Sequence, residues 1–252
     1  MANDLKLDVR TAEILGAFIG DGWIQSNKRA FYILGDRTED RAYYDNYLGP
    51  MFKEVFGEIN VKEFQSWKVY GLASYKKVII EKCLELGFQS GKKALTVKIP
   101  DYIMDSSPEV KIALMRGIFD TDGSFWCERS RAKTSQEWKR NYPYHPMFQI
   151  TSCSEKLLYQ LATMLDDLGI HASIRCIRLK GVKCRRNVNN AYSLRINKIG
   201  HIRKWFEIIG TSNPRHKTKY EVWNKWGYLP SKTTVLQRES ILNDKLIPEQ
   251  FA

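Results

Sequence analysis

Hydrophobic side chains along this chain switch between two rhythms. In one they recur every three to four residues, as on a helix; in the other they alternate, as on a strand; the order of switching occurs twice. The first pass opens with a helix ending near residue 21. It then predicts strands near 22–28 and 30–36, a helix near 39–56 entered at Thr38, strands near 58–66 and 67–74, and a helix near 75–87. The second pass opens with a helix ending near residue 122. Strands are expected near 123–129 and 146–152, a helix near 154–168 entered at Ser154, strands near 172–180 and 191–197, and a helix near 199–209. Each pass reads αββαββα, so the fold class is α+β with two related halves. The polar stretch Asp105-Ser106-Ser107-Pro108 marks the junction, giving halves at 1–104 and 105–229. Residues 230–252 have no counterpart and read as a short helix or a loose tail. The stretch 130–145 is an insertion into the second half.

The leading helices carry the clearest self-similarity. AEILGAFIGDGWI at 12–24 and ALMRGIFDTDGSF at 113–125 align with a shift of 101 positions, which matches Ala12 to Ala113, Gly16 to Gly117, Asp21 to Asp122 and Gly22 to Gly123. Small residues fall four apart in both: Ala12, Gly16, Gly20 and Ala113, Gly117, Thr121. On a helix that spacing makes one stripe, and a stripe without side chains lets a second helix approach closer than the usual 8–10 Å or so between axes. Glycine inside a helix costs about 1 kcal/mol relative to alanine, so its use at both places calls for a steric reason. Two such helices packed on each other supply one. Each aspartate then ends its helix ahead of an Asp-Gly turn into a strand.

Charge narrows the class of partner. The 252 residues carry 40 Lys and Arg against 28 Asp and Glu, a net +12, which points to a polyanion bound through phosphate contacts and counterion release. The excess is one-sided: residues 1–110 hold 15 basic and 16 acidic side chains, and the later residues hold the rest. No apolar run approaches the ~20 residues that cross a bilayer, and the start MANDLKLDVR is charged where a secretory signal would be apolar. The expectation is an intracellular protein with no membrane partner. Five scattered cysteines without a CxxC pair read as reduced structural thiols.

The segments ILGAFIGDG (14–22) and MRGIFDTDG (115–123) resemble the nine-residue signature of the LAGLIDADG homing endonucleases, and the similarity of element order extends over roughly residues 11–227. The resemblance implies a monomer with pseudo-two-fold symmetry, paired motif helices at the interface between halves, and two antiparallel sheets that saddle the major groove of double-stranded DNA. It implies site-specific double-strand cleavage with 3′ overhangs by metal-dependent hydrolysis, using Mg2+, with Mn2+ able to substitute and Ca2+ supporting binding alone. Asp21 and Asp122 would hold the metal, with Gly20 and Thr121 also at the metal site. A lysine near the end of each half would sit by the acids; the matching positions are Lys98, in Lys98-Ile99-Pro100, and Lys219, in NPRHKTKY (213–220). Ile19 replaces the acidic residue often found at the motif's sixth position, where the second copy has Asp120. The ends lack the initial Cys or Ser and terminal His-Asn of a self-splicing element, so the expectation is an intron-encoded or free-standing enzyme. Related proteins of this fold act as RNA maturases on their own intron RNA or as inactive DNA-binding regulators, and both readings stay open.

Hydrolysis of a phosphodiester needs an activated water and neutralisation of charge on the transition state, for which a hard cation on two carboxylates is suited. Two adjacent carboxylates in a poorly hydrated cleft repel, which raises their hold on protons until a cation arrives. Alternating polar positions on the predicted strands supply candidates for base readout: Gln25 and Asn27; Gln149 and Thr151; Arg178 and Lys180; Ser193, Arg195 and Asn197. The tips carrying Asn27, Lys28 and Arg29 and carrying Lys183, Arg185 and Arg186 read as phosphate clamps or as solubilising turns. Arg131 and Lys133 in the insertion join the basic candidates. Trp205, Trp223 and Trp226, at helical spacing among apolar neighbours, read as core.

Overall fold

The computed structural model describes residues 8–129, 143–177 and 189–251. In the first half, helix α1 (Val9–Asp21) leads into β1 (Gly22–Ile24) and β2 (Phe31–Asp36). A broken helix follows, made of α2 (Arg41–Tyr43), a π turn (Tyr44–Leu48) and α3 (Gly49–Phe56), then β3 (Asn60–Phe64), β4 (Val69–Ser74), α4 (Lys77–Glu85) and α5 (Asp101–Met104). The second half repeats the order with α6 (Pro108–Asp122), β5 (Gly123–Glu128), β6 (His145–Ser152), α7 (Glu155–Asp167), β7 (Ser173–Ile177), β8 (Ala191–Ile196) and α8 (Ile199–Ile208). It closes with α9 (Pro214–Trp226), α10 (Val235–Leu242) and a 3-10 turn at Pro248–Phe251. The sheets are antiparallel and equivalent, ordered β1-β2-β4-β3 and β5-β6-β8-β7. None of the described helices is long and apolar enough to cross a membrane.

Glycine sets the central contact. A Cβ on Gly16 would overlap the Leu114 carbonyl of α6, and one on Gly117 would overlap the Glu13 carbonyl of α1, so the two helices touch backbone to backbone. Gly20 lies against the Thr121 side chain in the same way. The glycines after each aspartate have a different reason from the expected turn. Gly22 and Gly123 are extended, with φ of −82° and −77°, and each N–H reaches back to the carbonyl of Phe18 or Phe119. A side chain there would collide with that same phenylalanine ring, so the chain passes from helix to strand without a left-handed residue.

Several boundaries differ from the sequence expectation. The strand expected over 22–28 stops at Ile24, and the chain turns over 25–29, where Gln25 N–H donates to the Ala30 carbonyl and Lys28 takes a positive φ of 57°. The helix expected from Thr38 begins at Arg41, because the Asp36 carboxylate binds the backbone N–H groups of Thr38 and Glu39, both at 2.8 Å, and holds them in a turn. That helix also widens at Tyr44–Leu48, where Gly49 N–H donates to the carbonyl of Tyr44 five residues back. Pro50 follows, with no N–H of its own and a ring that crowds the carbonyl four residues earlier. Trp205 and Trp223 are core residues, whereas Trp226 at the end of α9 is about a third exposed.

The halves are tied reciprocally by the segment that follows each half's last sheet helix. In the first, Ser154 at the cap of α7 donates to the Val97 carbonyl at 2.6 Å, and the Gln160 amide bonds both N–H and C=O of Ile99 at 2.9 Å. In the second, Asn213 donates to Asp40 and to the Asp120 carbonyl, each at 2.9 Å. Buried Glu13 on α1 accepts from Arg116 of α6 at 2.9 Å, Tyr47 at 2.9 Å and Ser212 at 3.2 Å. Residues 230–251 are packed rather than loose: Arg238, 1% exposed, donates to Glu39 of the first half at 2.8 Å and to Thr218 at 2.9 Å.

Because the neighbour at Gly16 and Gly117 is main chain, no rotamer change relieves an added side chain. Gly117→Val is expected to lower unfolding stability by about 3 kcal/mol or more, read as a shift of the urea midpoint. Gly57→Ala, at a positive-φ position with nothing within 4 Å, serves as a control for backbone strain alone, expected to cost about 1 kcal/mol.

Candidate active site

Asp21 and Asp122 are the last residues of α1 and α6, and the glycine contact between those helices carries them into one cleft of about 440 Å³. Gly20, Lys93, Thr151, Ser152 and Ala191 line it with them. Burial and then the charge of Asp122 push the Asp21 carboxyl up to about 7, with Asp40 adding to the rise and Lys93 and Arg215 opposing it. Burial pushes Asp122 up to about 6 against the pull of Lys93. The pair therefore loses its protons in two steps that belong to the pair as a whole, and the second charge is costly because the first is present.

Among the described residues lining this cleft, Lys93 is the cation. Its Nζ donates to the carbonyls of Ile19 and, at 2.7 Å, Gly20, the free carbonyls at the end of α1, where a cation is favoured. Burial lowers it to about 8 while the two aspartates hold it up. Its place follows from the segment before it: Ser90 bridges to Ile24, and Gly91, with φ of 78°, donates to the Ile24 carbonyl at 2.8 Å. This lays residues 90–93 along β1 and over the helix end.

The two lysines singled out from sequence lie elsewhere. Lys98 sits between inward-facing Val97 and Ile99, so its own side chain points out to solvent, with Nζ 3.3 Å from the carboxylate of Asp101. Lys219 lines a separate cleft of about 290 Å³ with Glu39, Cys127, Leu229 and Arg238. Burial, together with Arg215 and Arg238, lowers it to about 8. The second-half cation whose charge reaches Asp21 is Arg215, which donates to Asp40 at 3.3 Å.

Gly20 and Thr121 flank the aspartates as expected, but the Gly20 carbonyl already accepts from Lys93, and the Thr121 hydroxyl donates back into its own helix to Gly117 and Ile118 at 3.1 and 3.2 Å. Asp120 has no place at the cleft. It is 2% exposed and accepts from the Thr211 hydroxyl and from Ser212 N–H at 2.9 Å, bonds that partly offset the burial raising it to about 7.

Of the base-readout candidates, Gln149, Thr151, Ser193 and Arg195 share the face of the second sheet turned away from the core. Ser193 is fully buried: its hydroxyl donates to Gln149 at 3.3 Å and accepts from Arg195 at 3.3 Å, so it braces its neighbours. Asn197 lies just past β8 and donates to Ser173 at 3.0 Å. Gln25, Asn27, Lys28 and Arg29 occupy the turn after β1, where Asn27 accepts from Arg29 N–H at 3.1 Å. Arg131, Lys133, Arg178, Lys180, Lys183, Arg185 and Arg186 lie outside the described residues.

Comparison with known proteins gives the fold its relatives. Residues 109–210 match the model of the LAGLIDADG-like domain. The chain superposes on a crystal structure of I-DmoI in complex with DNA and manganese with a TM-score of 0.52 at 16% identity, covering 81% of this chain and 98% of that one. It superposes on the meganuclease I-SmaMI bound to uncleavable DNA with a TM-score of 0.51 at 13% identity, covering 94% and 96%. Among curated sequences it is 28% identical over 169 residues to an A-type ATP synthase subunit from Pyrococcus abyssi, and 22% identical over 235 residues to an uncharacterized protein of Methanocaldococcus jannaschii. The chain spans only 14% and 23% of those two proteins. With two equivalent four-stranded sheets and paired motif helices, the chain has the fold of these single-chain structures, and its second half matches the LAGLIDADG-like domain.

Proposed function

We propose that this protein is a site-specific endonuclease that hydrolyses both strands of duplex DNA with Mg2+. The observation that carries the reading is the convergence of Asp21 and Asp122, 101 positions apart, in one cleft where burial raises both carboxyls well above their ordinary range. Mutual repulsion and burial disfavour two bare charges there, and a divalent cation relieves that cost. The fold neighbours bound to DNA, one of them with manganese, support the same reading.

The donor set fits a hard cation. Asp21 and Asp122 would hold it, with the Ser152 hydroxyl within the same cleft as a further oxygen. Among the described residues no group of three or more His, Cys, Asp or Glu encloses a metal. The protein thus provides part of a coordination sphere, which suits Mg2+ because it keeps several waters and takes phosphate oxygens. When bound, the cation supplies an activated water and neutralises charge on the phosphate. Lys93 contributes a fixed ammonium beside the acids, held by the carbonyls of Ile19 and Gly20, where it stabilises negative charge developing on a phosphate in the cleft. Thr151 and Ser152, from the end of β6, form the wall on the second-sheet side.

A duplex selected from a random library by binding in Ca2+ and then assayed with Mg2+ tests the function. Asp21→Asn and Asp122→Asn are each expected to lower double-strand cleavage on the order of a thousandfold while preserving binding in Ca2+; cleavage by both variants at the wild-type rate would refute the assignment. Lys93→Met is expected to slow cleavage on the order of a hundredfold, and Lys98→Met to leave it within about twofold, since Lys98 faces solvent.

The raised aspartates also predict a pH signature in metal-free protein. A carboxyl lifted above its unfolded value of 3.8 favours the folded state fully below that pH, and the contribution is lost as pH rises through the folded values near 6 and 7. Asp21→Asn should therefore match the wild type in thermal unfolding near pH 4 and exceed it progressively up to about pH 7. Added Mg2+ at pH 8 should raise the wild-type midpoint more than the variant's.

A further inference from the structure

The outward faces of the two sheets hold equivalent positions with opposite chemistry. Strand register matches them row by row. Trp23, Tyr32, Ala73 and Asn60 lie across the first sheet, where the second has Ser124, Gln149, Arg195 and Ser173. The next row is Leu34, Gly71 and Lys62 against Thr151, Ser193 and Arg175. In these two rows the second face is a hydrogen-bonding surface with two arginines, with Trp126 and Met147 beyond them at the far end of β5. The first is mainly hydrocarbon and forms a cluster separate from the main core, with Tyr32 as its hub. Around Tyr32, ring centroids of Trp23, Trp67, Phe64 and Tyr75 lie at 5.6, 5.7, 5.9 and 6.1 Å. Trp23, Trp67 and Tyr75 nevertheless remain 41%, 51% and 53% exposed.

An exposed aromatic patch of this size marks a contact surface. Its position says with what. Trp23 lies two residues beyond Asp21 on the strand that leaves the acid cleft, about 7 Å along the chain, so a duplex with a phosphate at Asp21 and Asp122 extends over this face. The Lys62 ammonium, 5.2 Å from the Phe64 ring and 5.9 Å from that of Tyr75, puts positive charge on the same surface. In the major groove the one apolar feature a base pair presents is the thymine 5-methyl group. The rings already pack on one another, Trp23 on Tyr32 and Phe64 on Trp67 at interplanar angles of 17° and 13°, which leaves no slot between them for an unpaired base.

We infer that the two sheets read their half-sites by different chemistry: the second by hydrogen bonds to base edges, the first by packing Trp23 and its aromatic neighbours against thymine methyl groups of an A·T-rich half-site. This rests on the nuclease reading above and deepens it by assigning a target chemistry to one half.

Replacing thymidine by deoxyuridine removes the methyl group and leaves the pairing and hydrogen-bonding edge unchanged, so it isolates the contact. A library-selected duplex is synthesised with deoxyuridine in either half-site, and binding is measured in Ca2+. The expected result is about fourfold weaker binding per methyl removed in one half-site, the equivalent of one buried methyl group, and no change in the other. Trp23→Ala and, separately, Trp67→Ala should weaken binding to the thymidine duplex and abolish the difference between thymidine and deoxyuridine. Equal binding of all duplexes, with cleavage intact, would overturn this inference and leave the nuclease assignment standing. Binding of unpaired oligonucleotides in preference to any duplex would overturn both.

Discussion

The contact of α1 with α6 through Gly16 and Gly117 is the constraint on which everything functional rests. Each glycine faces a main-chain carbonyl of the other helix, at Leu114 and Glu13, so the approach is limited by backbone alone. That approach is what makes two acids of distant sequence share one cleft. It also fixes the sheets relative to each other, because β1 and β5 leave the helix ends without an intervening loop. Gly22 and Gly123 maintain this direct exit by making room for Phe18 and Phe119, themselves core residues.

Around that contact the halves exchange polar ties. Glu13, Asp40 and Asp120 are nearly inaccessible to water, and each is bonded to residues of the other half or of the segment at 211–215. A buried carboxylate left without partners is strongly destabilising, so such groups tolerate one arrangement of the halves and penalise others. The first half's terminal segment is fastened by neutral groups, Ser154 and Gln160 on main-chain atoms. The second half's is fastened by charged ones, with Arg238 of the C-terminal segment closing over Glu39 and Thr218. The pseudo-symmetry of the backbone therefore does not extend to the chemistry holding it.

The sequence carried the acids and the helix interface because both are written as repeats: the same small residues at the same spacing, followed by the same order of elements. The cation beside the acids was not legible in that way. Matching by position led to Lys98, whereas the position of Lys93 depends on the Ser90–Ile24 bridge and the positive φ of Gly91, a long-range pairing that periodicity does not encode. Helix α9 showed only in the helical spacing of Trp223 and Trp226, because the rest of its buried face, His216, Thr218 and Val222, is mixed rather than an apolar stripe. The break at Tyr44–Leu48 had a local signal in Gly49-Pro50, which the longer hydrophobic rhythm of 39–56 masked. The strand from Gly22 was overextended since Gln25 and Asn27 continue its alternation on into a turn.

The distribution of charge gains a meaning from the two sheet faces. Residues 1–110 are close to neutral and the remainder strongly basic, and the register-matched rows add one charge in the same sense: Arg195 on the second sheet stands where the first has Ala73, while Arg175 matches Lys62. Long-range attraction for a polyanion falls off with the counterion atmosphere, whereas apolar contact acts only at touching distance. A duplex would thus be drawn in through the second half and settle on the first. Because the acid cleft lies where the two halves meet, a duplex lying across both sheets would bring its phosphates to Asp21 and Asp122.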